Sequence, residues 1–279
     1  MTTTSTPTAA GFEPVPATGV FAALDLLVLE RSGPVFHLRL NRPAKRNSIS
    51  DELLAQIHTV IVNLPKDVRV LVLSGAGEHF CAGLDLSEVS ERTVTEGMQH
   101  SRSWHRCFDA LQFGDVPVIA VLHGAVVGGG LELAASAHLR VAEDGTFYAL
   151  PEGTRGIFVG GGGSVRIPRL LGTSRMTDMM LTGRSFDADE GQAFGLSNYR
   201  VAAGEGLAKA LQLGLKIAGN APLSNYAITQ ALPRIADLPA ADGLFVESLM
   251  SSIAQGDEAA KERVRAFLEK RAAKVSRPS

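Results

Sequence analysis

Cysteine is nearly absent. Cys81 and Cys107 stand alone in 279 residues, with no metal-ligand spacing and no pattern for a disulfide framework, so a zinc module and a secreted disulfide scaffold are both excluded. That usage suits a reducing compartment, and a cytoplasmic location is expected. Blocks of Lys and Arg are also missing. The formal net charge is −2 with both signs interspersed, which argues against nucleic acid or an anionic membrane as the main partner. No apolar run reaches membrane-spanning length, because charged residues interrupt each candidate. No Lys or Arg precedes Arg31, so the start lacks both the charged region of a signal peptide and the arginines of a transit peptide. The Thr-, Pro- and Ala-rich stretch 1–24 cannot build a core and is expected to be a disordered tail. The seven histidines are scattered singly and offer no convergent ligand set.

What is present is apolar and periodic. With 45% hydrophobic and 20% charged residues the chain can bury a sizeable core, as one large domain with room for a smaller appendage. LLVLER (Leu26 to Arg31) and VFHLRLN (Val35 to Asn41) alternate like paired strands across a tight turn. Ser50 is placed to cap an amphipathic helix. VRVLVLSGAG and VPVIAVLHG read as buried strands. Between them, Glu88 to Leu111 suggests one or two helices with Met98, Trp104, Phe108 and Leu111 on an apolar stripe. Strands at HLRVAE and FYAL follow, then helices near Ser164–Leu171 and Asp187–Phe194, a strand at Tyr199–Ala202, and mostly helix to the end. The alternation predicts an α/β body with a helical C-terminal region.

One stretch breaks the pattern. VVGGGLELAAS (Val126 to Ser136) places three glycines and a carboxylate inside an otherwise core-like run, where glycine is entropically costly and a buried carboxylate expensive. If Gly129 begins a helix, its N–H is an unpaired donor at the positive end of the dipole. The N–H of Leu84, in HFCAGLDL after the preceding strand, would supply a matching donor for a developing anion. Glu132 follows Gly129 by about one turn. Glu152, in FYALPEG, is a second carboxylate able to share a water with it. Taken singly, each feature is also compatible with a plain role: a helix start, an acidic first turn, a solvated Pro-Glu-Gly turn. GGGGS (Gly160 to Ser164) lacks the following Lys-Ser or Lys-Thr of a phosphate loop.

Taken together, NRPAKRNSIS, GEHFCAGLDL, PVIAVLHGAVVGGGLELAAS, LPEGTRGIFVGGGGSVRIPRLLG, LTGRSFDADEGQAFGLSNYRV and the closing FLEKR resemble the crotonase superfamily, the enoyl-CoA hydratases and isomerases, over about residues 25 to 272. The resemblance implies a crotonase-like spiral of ββα turns over 25–220 and a helical oligomerisation region over 221–279, assembled as a homotrimer or dimer of trimers. It implies oxyanion donors at Leu84 and Gly129 and catalytic acids at Glu132 and Glu152. It also implies acyl-CoA binding around Lys45, Arg46, Asn47, Ala82, Asp85 and Gly128, with Phe267 and Lys270 near the nucleotide. Where many relatives carry Pro, this chain has Val159. The expected activity is hydration of a 2-enoyl-CoA thioester without metal or redox cofactor. Alternatives are a double-bond isomerase, a thioester hydrolase, or a non-catalytic acyl-CoA or RNA scaffold. The paired glutamates disfavour one-acid isomerases, and Gly160 stands where dienoyl isomerases carry a second Asp.

Overall fold

In a computed structural model of the chain, residues 11–88 and 91–271 are described. Alternating apolar residues pair β2 (Leu27–Ser32) with β3 (Val35–Leu40) antiparallel, from Leu27 opposite Leu40 to Ser32 opposite Val35. Residues 11–24 are not the tail expected from composition. Here β1 (Glu13–Pro14) pairs with Arg31 and Glu30 of β2, and Phe12 is buried with its ring 5.0 Å from that of His37. A single buried Phe contributes about 1.5–3 kcal/mol, enough to anchor a short segment whose average composition hides it. Residues 1–10 lie outside the described residues.

Ser50 caps α1 (Asp51–Val62) as its position predicts, its hydroxyl accepting from the Leu53 N–H at 3.1 Å. The chain then runs through β4 (Val70–Gly75), α2 (Val94–Gln112), β5 (Val118–Leu122), β6 (Ala125–Val127), α3 (Gly129–Ala135), β7 (Leu139–Glu143) and β8 (Phe147–Ala149). It continues through α4 (Gly163–Leu171), α5 (Thr173–Thr182), α6 (Ala188–Phe194), β9 (Tyr199–Val201) and α7 (Gly206–Ala218). The main sheet has the order β1-β2-β3-β4-β5-β7-β9, parallel from β3 onward. Its central strands are Val-, Leu- and Ile-rich and buried throughout, as parallel strands covered on both faces must be.

A second layer explains the spiral. Strands β6 and β8 pair parallel, and isolated bridges join Cys81 to Val126 and Tyr148 to Phe186. Successive coils thus each give one long strand to the main sheet and one short extended segment to the second layer. Trp104, Phe108 and Leu111 of α2 are buried as expected. Met98 is 62% exposed, because the first two turns of α2 lie largely in solvent.

The chain divides into two compact units at Leu215/Lys216, inside α7 and a few residues before the expected boundary. The second unit holds α8 (Pro222–Ile235), α9 (Ala240–Gly256) and α10 (Glu258–Leu268). Leu244, Phe245 and Leu249 of α9 and Phe267 of α10 are exposed.

Candidate active site

The short segments of the second layer set the geometry. Cys81, Val126 and Tyr148 lie side by side in register, separated by the usual spacing of about 4.8 Å between strands. Leu84 is three residues beyond Cys81, Gly129 three beyond Val126, and Glu152 four beyond Tyr148. Three consecutive coils therefore deliver three candidate residues to one end of the layer. The chain turns into α3 at Gly128, whose φ of 55° and ψ of −123° lie outside the reach of ordinary side chains. A Cβ there would also stand 2.8 Å from Glu152 Oε1. A Cβ on Gly129 would come within 3.5 Å of the Leu84 nitrogen, so these two backbones are direct neighbours. Among the described residues neither N–H, of Leu84 or of Gly129, donates to a group of the chain.

Glu132 lies one turn into α3 and is 3% exposed. Its Oε1 accepts from the Gly161 and Gly163 N–H groups at 2.8 and 2.7 Å. Burial pushes its carboxyl up to about 7. The two N–H donors oppose that rise, while the charge of Glu152 adds to it. Glu152 is buried as well, and burial raises its proton affinity too. Among the described residues its Oε2 has no hydrogen-bond partner. Two carboxyls both pushed toward neutrality by burial can divide acid and base roles between them.

The remaining expected residues fall into two groups. The segment from Arg46 runs beside the segment from Ala82: Ala82 N–H donates to Arg46 O, Ile49 N–H to Gly83 O, and Asp85 N–H to Ile49 O, at 2.7 to 3.0 Å. Lys45, exposed, and Arg46, at φ 51°, close the turn that begins this segment. The side chain of Asn47 is fully buried and occupied in that turn: Oδ1 accepts from Arg42 N–H at 2.9 Å, and Nδ2 donates to the Ala76 and His79 carbonyls at 2.8 and 2.7 Å. Asp85 is likewise engaged, with Ser87 and with Arg42 at 2.8 Å. The Ser87 hydroxyl first, then Arg42, holds its carboxyl down at about 2 despite its burial. Phe267 and Lys270 belong to the second unit, both exposed, on and just after α10.

Two features of the site escaped the sequence reading. The first is the use of the glycine run. Cβ atoms on Gly161 and Gly163 would stand 3.1 Å from Glu132 Oε2 and 2.8 Å from its Oε1, so the loop is bare in order to grip a carboxylate, not a phosphate. The run was visible; its ligand, 29 residues upstream, was not. The second is Trp104, whose buried ring would meet a Cβ on Gly129 at 2.6 Å and one on Gly161 at 3.0 Å. It packs behind the site from α2. Elsewhere, Glu30, His37 and Ser74 form a hydrogen-bonded set at 2.9 and 2.7 Å that resembles a hydrolytic triad. All three are buried, with Phe12 over the ring, so the set ties β2, β3 and β4 together and meets no substrate.

A family model described as enoyl-CoA hydratase/isomerase matches residues 30–277. The chain is 33% identical to the short-chain-enoyl-CoA hydratase of Clostridium acetobutylicum, over 89% of this chain and 96% of that one. It is 34% identical to the 2,3-dehydroadipyl-CoA hydratase of Escherichia coli, over 88% and 96%. The crystal structure of a Rhodopseudomonas palustris protein described as an enoyl-CoA hydratase superposes with a TM-score of 0.87 at 55% identity, covering 89% of this chain and 96% of that one. With the coiled double layer, the facing N–H groups and the paired carboxyls already in place, these matches identify the chain as a member of the enoyl-CoA hydratase/isomerase family of the crotonase superfamily.

Proposed function

We propose that the protein hydrates the 2,3 double bond of a 2-enoyl-CoA thioester to give the 3-hydroxyacyl-CoA. The observation that carries this reading is the pair of buried glutamates beside two backbone donors that, like Glu152 Oε2, have no partner among the described residues. Such an oxygen costs about 1–3 kcal/mol if nothing ever meets it. The thioester carbonyl oxygen lies between the N–H groups of Leu84 and Gly129, which stabilise the enolate as the C2–C3 π electrons move toward it. One such donor lowers an acyl-transfer barrier by about 3 kcal/mol. Water held between Glu132 and Glu152 forms the new bond to C3 and gives its proton to the carboxylate of Glu132. Glu152 delivers a proton to C2, and exchange with solvent resets the pair. The thioester is its own electron sink, so this chemistry calls for neither metal nor redox cofactor.

The CoA moiety runs along the paired segments 45–47 and 82–85. The enzyme works in the cytoplasm as a homotrimer or dimer of trimers. Both cysteines being free supports the compartment, and the exposed apolar side chains of α9 and α10 support assembly. Short, long, branched, aromatic and steroid 2-enoyl-CoA thioesters, followed by the absorbance of the conjugated thioester, test the assignment. At least one is expected to turn over to the 3-hydroxy product; inertness toward all of them overturns it.

A further inference from the structure

Arg166 lies within α4 and is 7% exposed, and its hydrogen bonds among the described residues go to groups other than Glu132 and Glu152. Three of its nitrogens are committed. Nη1 donates to the Gly161 carbonyl at 3.1 Å, Nε to Gln112 Oε1 at 2.6 Å, and Nη2 to Asp109 Oδ1 at 2.5 Å. The last two partners sit on α2, the helix that also bears Trp104. Ser101 of that helix donates to the Gly160 carbonyl at 2.6 Å. Gly162, at φ 95°, has no space for a Cβ because the guanidinium lies against it. The peptide whose carbonyl Arg166 holds is flanked by the two N–H groups that grip Glu132.

We propose that Arg166 is a positioning residue: by clamping the 160–163 loop to α2 it fixes the two N–H donors that aim the Glu132 carboxylate. A planar fork spreads its donors over three nitrogens at fixed angles and so reaches three separated acceptors on two elements; a lysine ammonium gathers its three donors on one nitrogen. The charged and titratable groups facing this cluster are Asp109 and His105 on α2, Arg169 on α4, and the Glu132–Glu152 pair. The charge of Arg166 itself favours ionised Glu132. The inference rests on the proposed function for its kinetic consequence, though not for its structural one.

The test therefore has two arms. In the first, isotope-edited infrared titration of the substrate-free protein follows the Glu132 carboxyl band, identified by its loss in Glu132→Gln. Arg166→Gln is expected to move its midpoint upward, and Arg166→Lys to move it less. An unmoved midpoint in Arg166→Gln overturns the proposal. The second arm measures turnover of a 2-enoyl-CoA. Arg166→Lys is expected to lower kcat about tenfold with KM held within about twofold, and to lower it less than about twofold in the Glu132→Gln background. Equal losses in both backgrounds overturn it, because Arg166 then acts independently of Glu132. Should Arg166→Gln fail to fold, Arg166→Lys and Asp109→Asn, altered at an exposed carboxylate, replace it; wild-type kcat in both overturns the clamp. A wild-type protein inert toward every 2-enoyl-CoA defeats the proposed function instead, and the titration still decides the clamp.

Discussion

In the proposed reaction Glu132 joins chemistry and stability in one side chain. Its folded pKa of about 7 stands above the ordinary 4.5, so between those values the folded protein holds a proton that the unfolded chain releases. Stability therefore falls as pH rises through this window. Above pH 7 both states are ionised and the full cost, about 3 kcal/mol, is present. Below pH 4.5 it vanishes. Glu132→Gln keeps an acceptor for Gly161 and Gly163 but cannot ionise, and is expected to melt higher than wild type at pH 8, with the difference shrinking toward pH 5 in calorimetry. The same variant, like Glu152→Gln, should lose about 100-fold or more in kcat for hydration, and the limb of the wild-type kcat/KM profile near pH 7 should disappear. In the proposed reaction Leu84 contributes its N–H, and its half-buried side chain packs on the core. Leu84→Met is accordingly expected to keep kcat/KM within about tenfold, or 1.4 kcal/mol.

At the scale of elements, the glycine-rich connections are fitted from both sides. In the proposed reaction a side chain on Gly129 would stand where the thioester meets its N–H. The structure adds that its Cβ would drive into the buried ring of Trp104, so Gly129→Val should abolish hydration and also lower stability by about 1–3 kcal/mol in urea unfolding. Gly162→Ala should be comparably harmful, since it combines a left-handed backbone with a collision against Arg166. A Gly162→Ala protein with wild-type Tm and kcat would show that the loop shifts freely. The N-terminal segment 11–15 offers a third check at this scale. Phe12→Ala removes the ring packed on His37 and is expected to destabilise by about 3 kcal/mol.

For the whole molecule, the second unit leaves apolar surface in water. Leu244, Phe245, Leu249, Phe267 and Leu268 are all about half exposed or more, an arrangement that a helical layer tolerates best when a copy of the chain covers it. Sedimentation is expected to show a trimer or hexamer, shifted toward smaller species by Phe245→Glu. A stable, active monomer at micromolar concentration would remove assembly from the proposed function.

Several local elements were determined by the sequence alone. Alternation specified β2 and β3, Ser50 specified where α1 begins, and the positions of Gly129, Glu132 and Glu152 relative to those elements marked the carboxyls and the backbone donors. These are short-range effects of side-chain period and capping, which act within a few residues. Tertiary structure alone decided what each group meets. The alignment of Cys81, Val126 and Tyr148 brings Leu84, Gly129 and Glu152 to one end of a layer, the glycine run at 160–163 closes on Glu132, and Phe12 seals His37. The charge states follow from those meetings, because desolvation depends on everything that surrounds a carboxyl and not on its neighbours in the chain.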